Sequence, residues 1–128
     1  MSLKTPLGKV LGLGSAKSGF HHWWAQRLSA IALLPLTLWF VWSLLMLPGL
    51  DYAVISAWLA TPLPAVALAL LVLALCHHSS LGLTVVAEDY IHQRTLRVLV
   101  LAGIQLLHVA LAVAGVFSIL LVSLGARS

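Results

Sequence analysis

Charged residues cut the chain into three long uncharged stretches. The first runs from Leu28 to Leu50, between Arg27 and Asp51. The second runs from Tyr52 to Ala87, between Asp51 and Glu88, and the third from Val98 to Ala126, between Arg97 and Arg127. A helix needs about 20 predominantly apolar residues to cross the hydrocarbon core of a bilayer, and all three stretches reach that length. The second is too long for one span. Pro62 and Pro64 punctuate it, and proline removes a backbone donor and clashes inside a helix, so the pattern predicts that this helix starts near Leu63. Pro48 to Pro62 reads as a loop with room for one interfacial turn, with Tyr52 and Trp58 at headgroup level. Glu88 to Leu96 reads as a tight polar loop. The expected organisation is one membrane domain over residues 1–128. An N-terminal segment covers residues 1–27, and three transmembrane helices lie at about residues 28–48, 63–87 and 97–124.

Composition agrees with that pattern. Hydrophobic residues make up 62% of the 128 positions and charged residues only 8%. A soluble domain carries about a quarter charged residues, so a water-soluble fold is excluded and no room is left for a separate soluble catalytic domain. The first apolar run follows 27 residues, lacks a small-residue cleavage site and exceeds the roughly 7–15 residues of a signal-peptide core. It therefore reads as a span.

The net charge of +4 is not a nucleic-acid signature, because the basic residues lie in flanks and loops. Lys4, Lys9, Lys17 and Arg27 precede the first span, and Arg94 and Arg97 lie in the second loop, whereas the first loop has no Lys or Arg. The positive-inside rule then predicts a cytoplasmic N-terminus and second loop, with the first loop and C-terminus on the far side. The single cysteine, Cys76, has no disulfide partner within the chain and no metal-knuckle spacing.

Polar side chains inside a membrane are costly and mark function. In the second span these are Cys76, His77 and His78; in the third, Gln105 and His108. His78 lies 11 residues before Asp89, which returns to nearly the same helix face about 16 Å further along. Ala74 and Gly82 flank His78 at i−4 and i+4 and leave a flat groove in which a porphyrin held by the histidine would fit. The competing reading is a histidine that hydrogen-bonds a neighbouring helix. His77 points about 100° away and is expected to pack or bond between helices. His108 lies 11 residues after Arg97 on an antiparallel helix, so its depth matches that of His78. Both a haem shared by the two and a simple interhelical contact fit that spacing.

Two further motifs sit at the membrane edge. Asp89 and Tyr90 offer a carboxylate and a phenol, groups able to relay protons and donate to a quinone carbonyl; a solvated interfacial pair is the plainer alternative. Ahead of the first span lies His21-His22-Trp23-Trp24-Ala25-Gln26-Arg27. Here Arg27 is suited to carboxylates such as haem propionates, or to a simple aromatic and cationic anchor.

Taken in order, His21 six residues before Arg27, His78 four before Gly82, and Asp89-Tyr90 11 beyond His78 resemble the hydrophobic membrane anchor subunit of bacterial succinate dehydrogenase. The resemblance covers roughly residues 19–125. It implies an all-α membrane protein of three transmembrane helices, part of a two-subunit haem-binding bundle. It implies His78 as an axial ligand of haem b, with the other ligand from a partner cytochrome b subunit, which argues against His108. Arg27 and His21 would line the propionate and quinone pocket, and Tyr90 and Asp89 would bind ubiquinone. The implied partners are that cytochrome subunit, an iron–sulfur subunit and a flavoprotein subunit, in a bacterial inner membrane. Electrons from succinate would pass to ubiquinone, and this chain would not be catalytic alone. Because His77 adjoins His78, a one-residue shift would exchange the ligand; the spacing to Asp89 and Gly82 favours His78. The alternatives are the anchor of a quinol:fumarate reductase, and a small transporter or scaffold whose histidines only bridge helices.

Overall fold

A computed structural model describes residues 17–125. Lys4, Lys9 and Arg127, which enter the charge argument, lie outside the described residues. Four helices follow one another: α1 (Lys17–Met46), α2 (Tyr52–Leu59), α3 (Pro62–Tyr90) and α4 (Arg94–Gly125). Three of them are long and apolar enough to cross a membrane, over Phe20–Met46, Pro62–Tyr90 and Arg94–Gly125. Among the described residues, the expected all-α class with three such helices is what the chain adopts.

α3 is the central element. It packs against both α1 and α4, whereas among the described residues no pair from α1 and α4 comes within 8 Å, Cα to Cα. The arrangement is therefore an open array about α3, not a closed bundle. Its interior is correspondingly thin. Leu59, Ala65 and Ile119 form a small cluster with Ile55, Trp58, Leu68, Ala69, Val72 and Val122 around it. Most other large apolar side chains remain exposed. Lipid tails are as apolar as leucine, so close packing and interhelical hydrogen bonds must hold such helices together. The α3–α4 contact shows the first of these. A Cβ on Gly115 would stand 2.8 Å from Val72 Cγ1, so the missing side chain is what lets the two backbones approach.

Local chemistry accounts for the helix ends. Asp51 caps α2 by accepting from the Val54 N–H at 3.1 Å, which satisfies one of the orphan donors of a first turn. Pro62 and Pro64 fall in the first turn of α3, where an absent N–H leaves no intrahelical bond unmade. Pro35, by contrast, sits inside α1, which continues through it to Met46. Such prolines are tolerated in membrane helices because neighbouring groups and local adjustments re-satisfy the freed carbonyl.

Two expectations change. The segment after Pro48 is more than a loop with a turn, since residues 52–59 form the helix α2. Its Trp58 ring stacks on Trp39 of α1, with centroids 6.0 Å apart. The second loop is also shorter than Glu88–Leu96. Glu88, Asp89 and Tyr90 continue α3, and Arg94 already begins α4. Charge marks where an apolar run stops, but nothing about a carboxylate or phenol ends a helix. The break comes at Ile91, whose φ of −100° and ψ of 100° are extended.

Candidate functional site

Four consecutive residues of α3, His77-His78-Ser79-Ser80, carry polar groups across the breadth of the helix. Steps of about 100° per residue send them to different neighbours. His78 turns towards α1. Its Nδ1 lies 3.0 Å from Ser29 Oγ, and its Nε2 lies 3.4 Å from Gln26 Nε2. The Ser29 hydroxyl also donates to the Gln26 carbonyl at 3.0 Å. A serine hydroxyl has one proton to give. With that proton on the carbonyl, the contact to His78 is made by the imidazole Nδ1–H donating to Ser29 Oγ. The Nε2 lone pair then faces the Gln26 amide N–H.

Gln26 is one of two places where the site is incomplete. Its Oε1 and the Nε2 of His22 are buried without a hydrogen-bond partner. His22, Gln26 and Ser29 follow at i, i+4 and i+7, a single stripe on α1. Gly82 faces the same stripe, since a Cβ there would lie 3.7 Å from Gln26 Nε2. A groove of about 330 Å³ opens beside the imidazole, lined by Ala30, Leu33, Leu34, Thr37 and His78.

Ser79 turns the other way. Its hydroxyl meets His108 Nε2 at 3.2 Å, while His108 Nδ1–H donates to the Ile104 carbonyl of its own helix at 2.7 Å. His108 is only 8% exposed, and both ring nitrogens are engaged, Nδ1 within its own helix and Nε2 across to α3. Ser80 donates back to the His77 carbonyl at 2.8 Å. His77 itself is exposed and lines a cleft of about 180 Å³ between α3 and α4, with Cys76, Ser80, Gln105 and His108 among its walls.

The membrane-edge residues stand apart from this cluster. Arg27 points away from the His22–Gln26–Ser29 stripe, its guanidinium 5.5 Å from the centre of the Trp23 ring. His21 is exposed and meets Phe20 edge-on, 6.2 Å between centroids. Asp89 and Tyr90 end α3 and are solvent-facing, Tyr90 at 80% exposure. The structure thus brings His78, Gly82 and α1 together, and leaves Arg27, His21, Asp89 and Tyr90 on open surface.

Ser29, Gln26 and His22 are the residues that motif spacing did not single out. The signal was present in part. A serine one turn inside a span, three residues after a glutamine, is a polar group at membrane depth like any histidine. Which neighbouring helix it would meet is not written in α1.

Comparison with known proteins places the chain. Residues 1–120 match the family model described as the succinate dehydrogenase/fumarate reductase transmembrane subunit. Among curated relatives, a succinate dehydrogenase hydrophobic membrane anchor subunit of Rickettsia conorii is 36% identical over 117 residues, 91% of this chain and 93% of the relative. Its counterpart in Rickettsia bellii is 34% identical, covering 87% of this chain and 89% of the relative. The subunit of that name in Paracoccus denitrificans is 31% identical over 122 residues, 95% of this chain and 94% of its own length. No solved structure matches. With the match spanning nearly all of its length and all three long helices, the chain belongs to the family of succinate dehydrogenase/fumarate reductase transmembrane subunits.

Proposed function

We propose that this chain is the hydrophobic membrane anchor subunit of a succinate dehydrogenase, and that it contributes one axial ligand, His78, to a haem b shared with a partner cytochrome b subunit. The observation that carries the haem assignment is the state of the two candidate imidazoles. His108 is closed on both nitrogens by Ile104 and Ser79. His78 is held through Nδ1 by Ser29, and its Nε2 has only a long contact to an amide. A histidine that binds a metal through one nitrogen and donates its other N–H to an oxygen is oriented in this way.

The residues fit the group. The unpartnered Gln26 Oε1 and His22 Nε2 are buried polar atoms on the face that His78 meets, and Gly82 presents no side chain to the same stripe. Arg27 would hold the propionates by charge-assisted bonds, with His21 nearby at the same membrane edge. A haem bound here would supply a one-electron redox centre within the membrane.

Ubiquinone would be reduced near Tyr90 and Asp89. The exposed phenol at the end of α3 would donate to a quinone carbonyl, and the adjoining carboxylate would orient it or pass protons. The other partners are the iron–sulfur and flavoprotein subunits, which would sit on the cytoplasmic side of a bacterial inner membrane and deliver electrons from succinate. The cytoplasmic side is inferred from Arg94 and Arg97 in the first turn of α4, beside the short second connection; by the positive-inside rule the N-terminus would be inside and the C-terminus in the periplasm.

The test is gentle purification of the tagged chain with whatever accompanies it, followed by a dithionite-reduced minus oxidised visible spectrum of wild type and His78→Leu. A b-type band with three larger subunits, lost or shifted in the variant, is the expected result. Purification without partners or haem sinks the anchor reading. A band unchanged in His78→Leu moves the ligand elsewhere.

A further inference from the structure

We infer that Ser29 is a positioning residue for His78: its hydroxyl aims the imidazole across to α1 and sets how strongly Nε2 donates. This rests on the reading of His78 as the haem ligand. Two histidines of the same molecule satisfy Nδ1 in different ways. His108 satisfies its Nδ1–H on its own helix, at the carbonyl four residues earlier, 2.7 Å away. The equivalent acceptor for His78 is the carbonyl of Ala74, yet His78 leaves it and reaches Ser29 on α1 at 3.0 Å.

Ser29 is built for this task. It is 8% exposed, so its hydroxyl does not depend on water. Its proton goes to the Gln26 carbonyl, which leaves the oxygen lone pairs for the imidazole N–H and polarises them through a chain of two bonds. The chain runs Nδ1–H to Oγ, then Oγ–H to carbonyl, and it has one direction. With the Ser29 proton on that carbonyl, Nδ1 carries the imidazole proton, and Nε2 keeps the lone pair that would coordinate iron. An N–H that donates to an oxygen makes the opposite nitrogen a stronger base, and a more basic axial ligand favours oxidised iron. Such outer contacts are worth about 10–100-fold in metal affinity when removed.

The experiment uses the assembled complex with Ser29→Ala, Ser29→Thr and His78→Leu, read by haem content after detergent dilution and by redox titration of the b-type band. Ser29→Ala should move the haem midpoint potential in the positive direction and reduce haem retention about 10-fold or more. Ser29→Thr, which keeps the hydroxyl, should restore both. A Ser29→Ala complex with wild-type potential and retention overturns the role of Ser29, while His78 stands as ligand if His78→Leu has lost the band. Haem lost equally from the Ala and Thr variants, at unchanged potential, also overturns it, because a packing defect would act that way. A normal b-type band in His78→Leu overturns the ligand reading itself.

Discussion

Replacing His108 with leucine separates a structural histidine from a ligand. The substitution removes one bond between helices, the 3.2 Å contact to Ser79. It also removes one bond within α4, to Ile104. The second loss costs little, since the Ile104 carbonyl keeps its helical N–H partner at position 108. The first is an interhelical hydrogen bond in a membrane, worth about 0.6 kcal/mol on average and about 1.7 at most. The released Ser79 hydroxyl can turn back to its own helix, as Ser80 and Thr84 do at 2.8 Å each, so nothing is left unpaired. Leucine fills similar space. The expected loss is thus about 1 kcal/mol, roughly a fivefold change in the folding equilibrium, with the haem band unaltered. Denaturation of the purified complex in graded SDS, followed by helix content and by the reduced haem band, measures both quantities. A variant that assembles with its partners but lacks the band would make His108 the ligand despite its closed contacts. A loss of several kcal/mol would refute the bond-by-bond estimate.

Three other outcomes are expected. Tyr90→Phe should lower succinate:ubiquinone reductase activity severalfold while leaving electron transfer to a soluble artificial acceptor intact; equal loss of both removes Tyr90 from the quinone site. Gly115→Val should loosen the α3–α4 contact by about 1–3 kcal/mol, because its first side-chain atom already overlaps Val72, a β-branched residue with little rotamer freedom in a helix. Pairing it with Val72→Ala should recover most of that, as read by SDS or thermal denaturation. Finally, cysteines placed by Ser56→Cys in α2 and Gln93→Cys between α3 and α4 should react with an impermeant maleimide from opposite sides, the first in spheroplasts and the second only after permeabilisation. The reverse pattern would invert the topology.

The spans were legible because an uncharged run of that length has few other homes, and residue spacing alone put His78 and His108 at one depth. The failures have physical causes. α2 is legible only as an interfacial turn because eight residues of a short connection carry no period long enough to read, and its strongest helix signal is one capping aspartate, Asp51. α3 runs past Glu88 to Tyr90 because polarity and backbone geometry change at different residues. At the site, spacing gave the direction of each α3 side chain but not the identity of the helix it would face. Ser29 and Gln26 became visible only once α1 lay against α3. The same blindness applies to Arg27, Asp89 and Tyr90. Their types point to anions and quinones, but in this chain alone they stand on open surface.

The open array about α3 has a consequence for the life of the polypeptide before assembly. Among the described residues, a copy newly released into the bilayer has α1 and α4 out of reach of each other and the buried Gln26 Oε1 and His22 Nε2 unpaired. Such a copy has little internal cohesion with which to resist extraction by membrane proteases. Where other subunits cover it, its lifetime would be set by the rate at which they do so, and matched synthesis of those subunits, rather than the intrinsic stability of this chain, would govern how much of it accumulates.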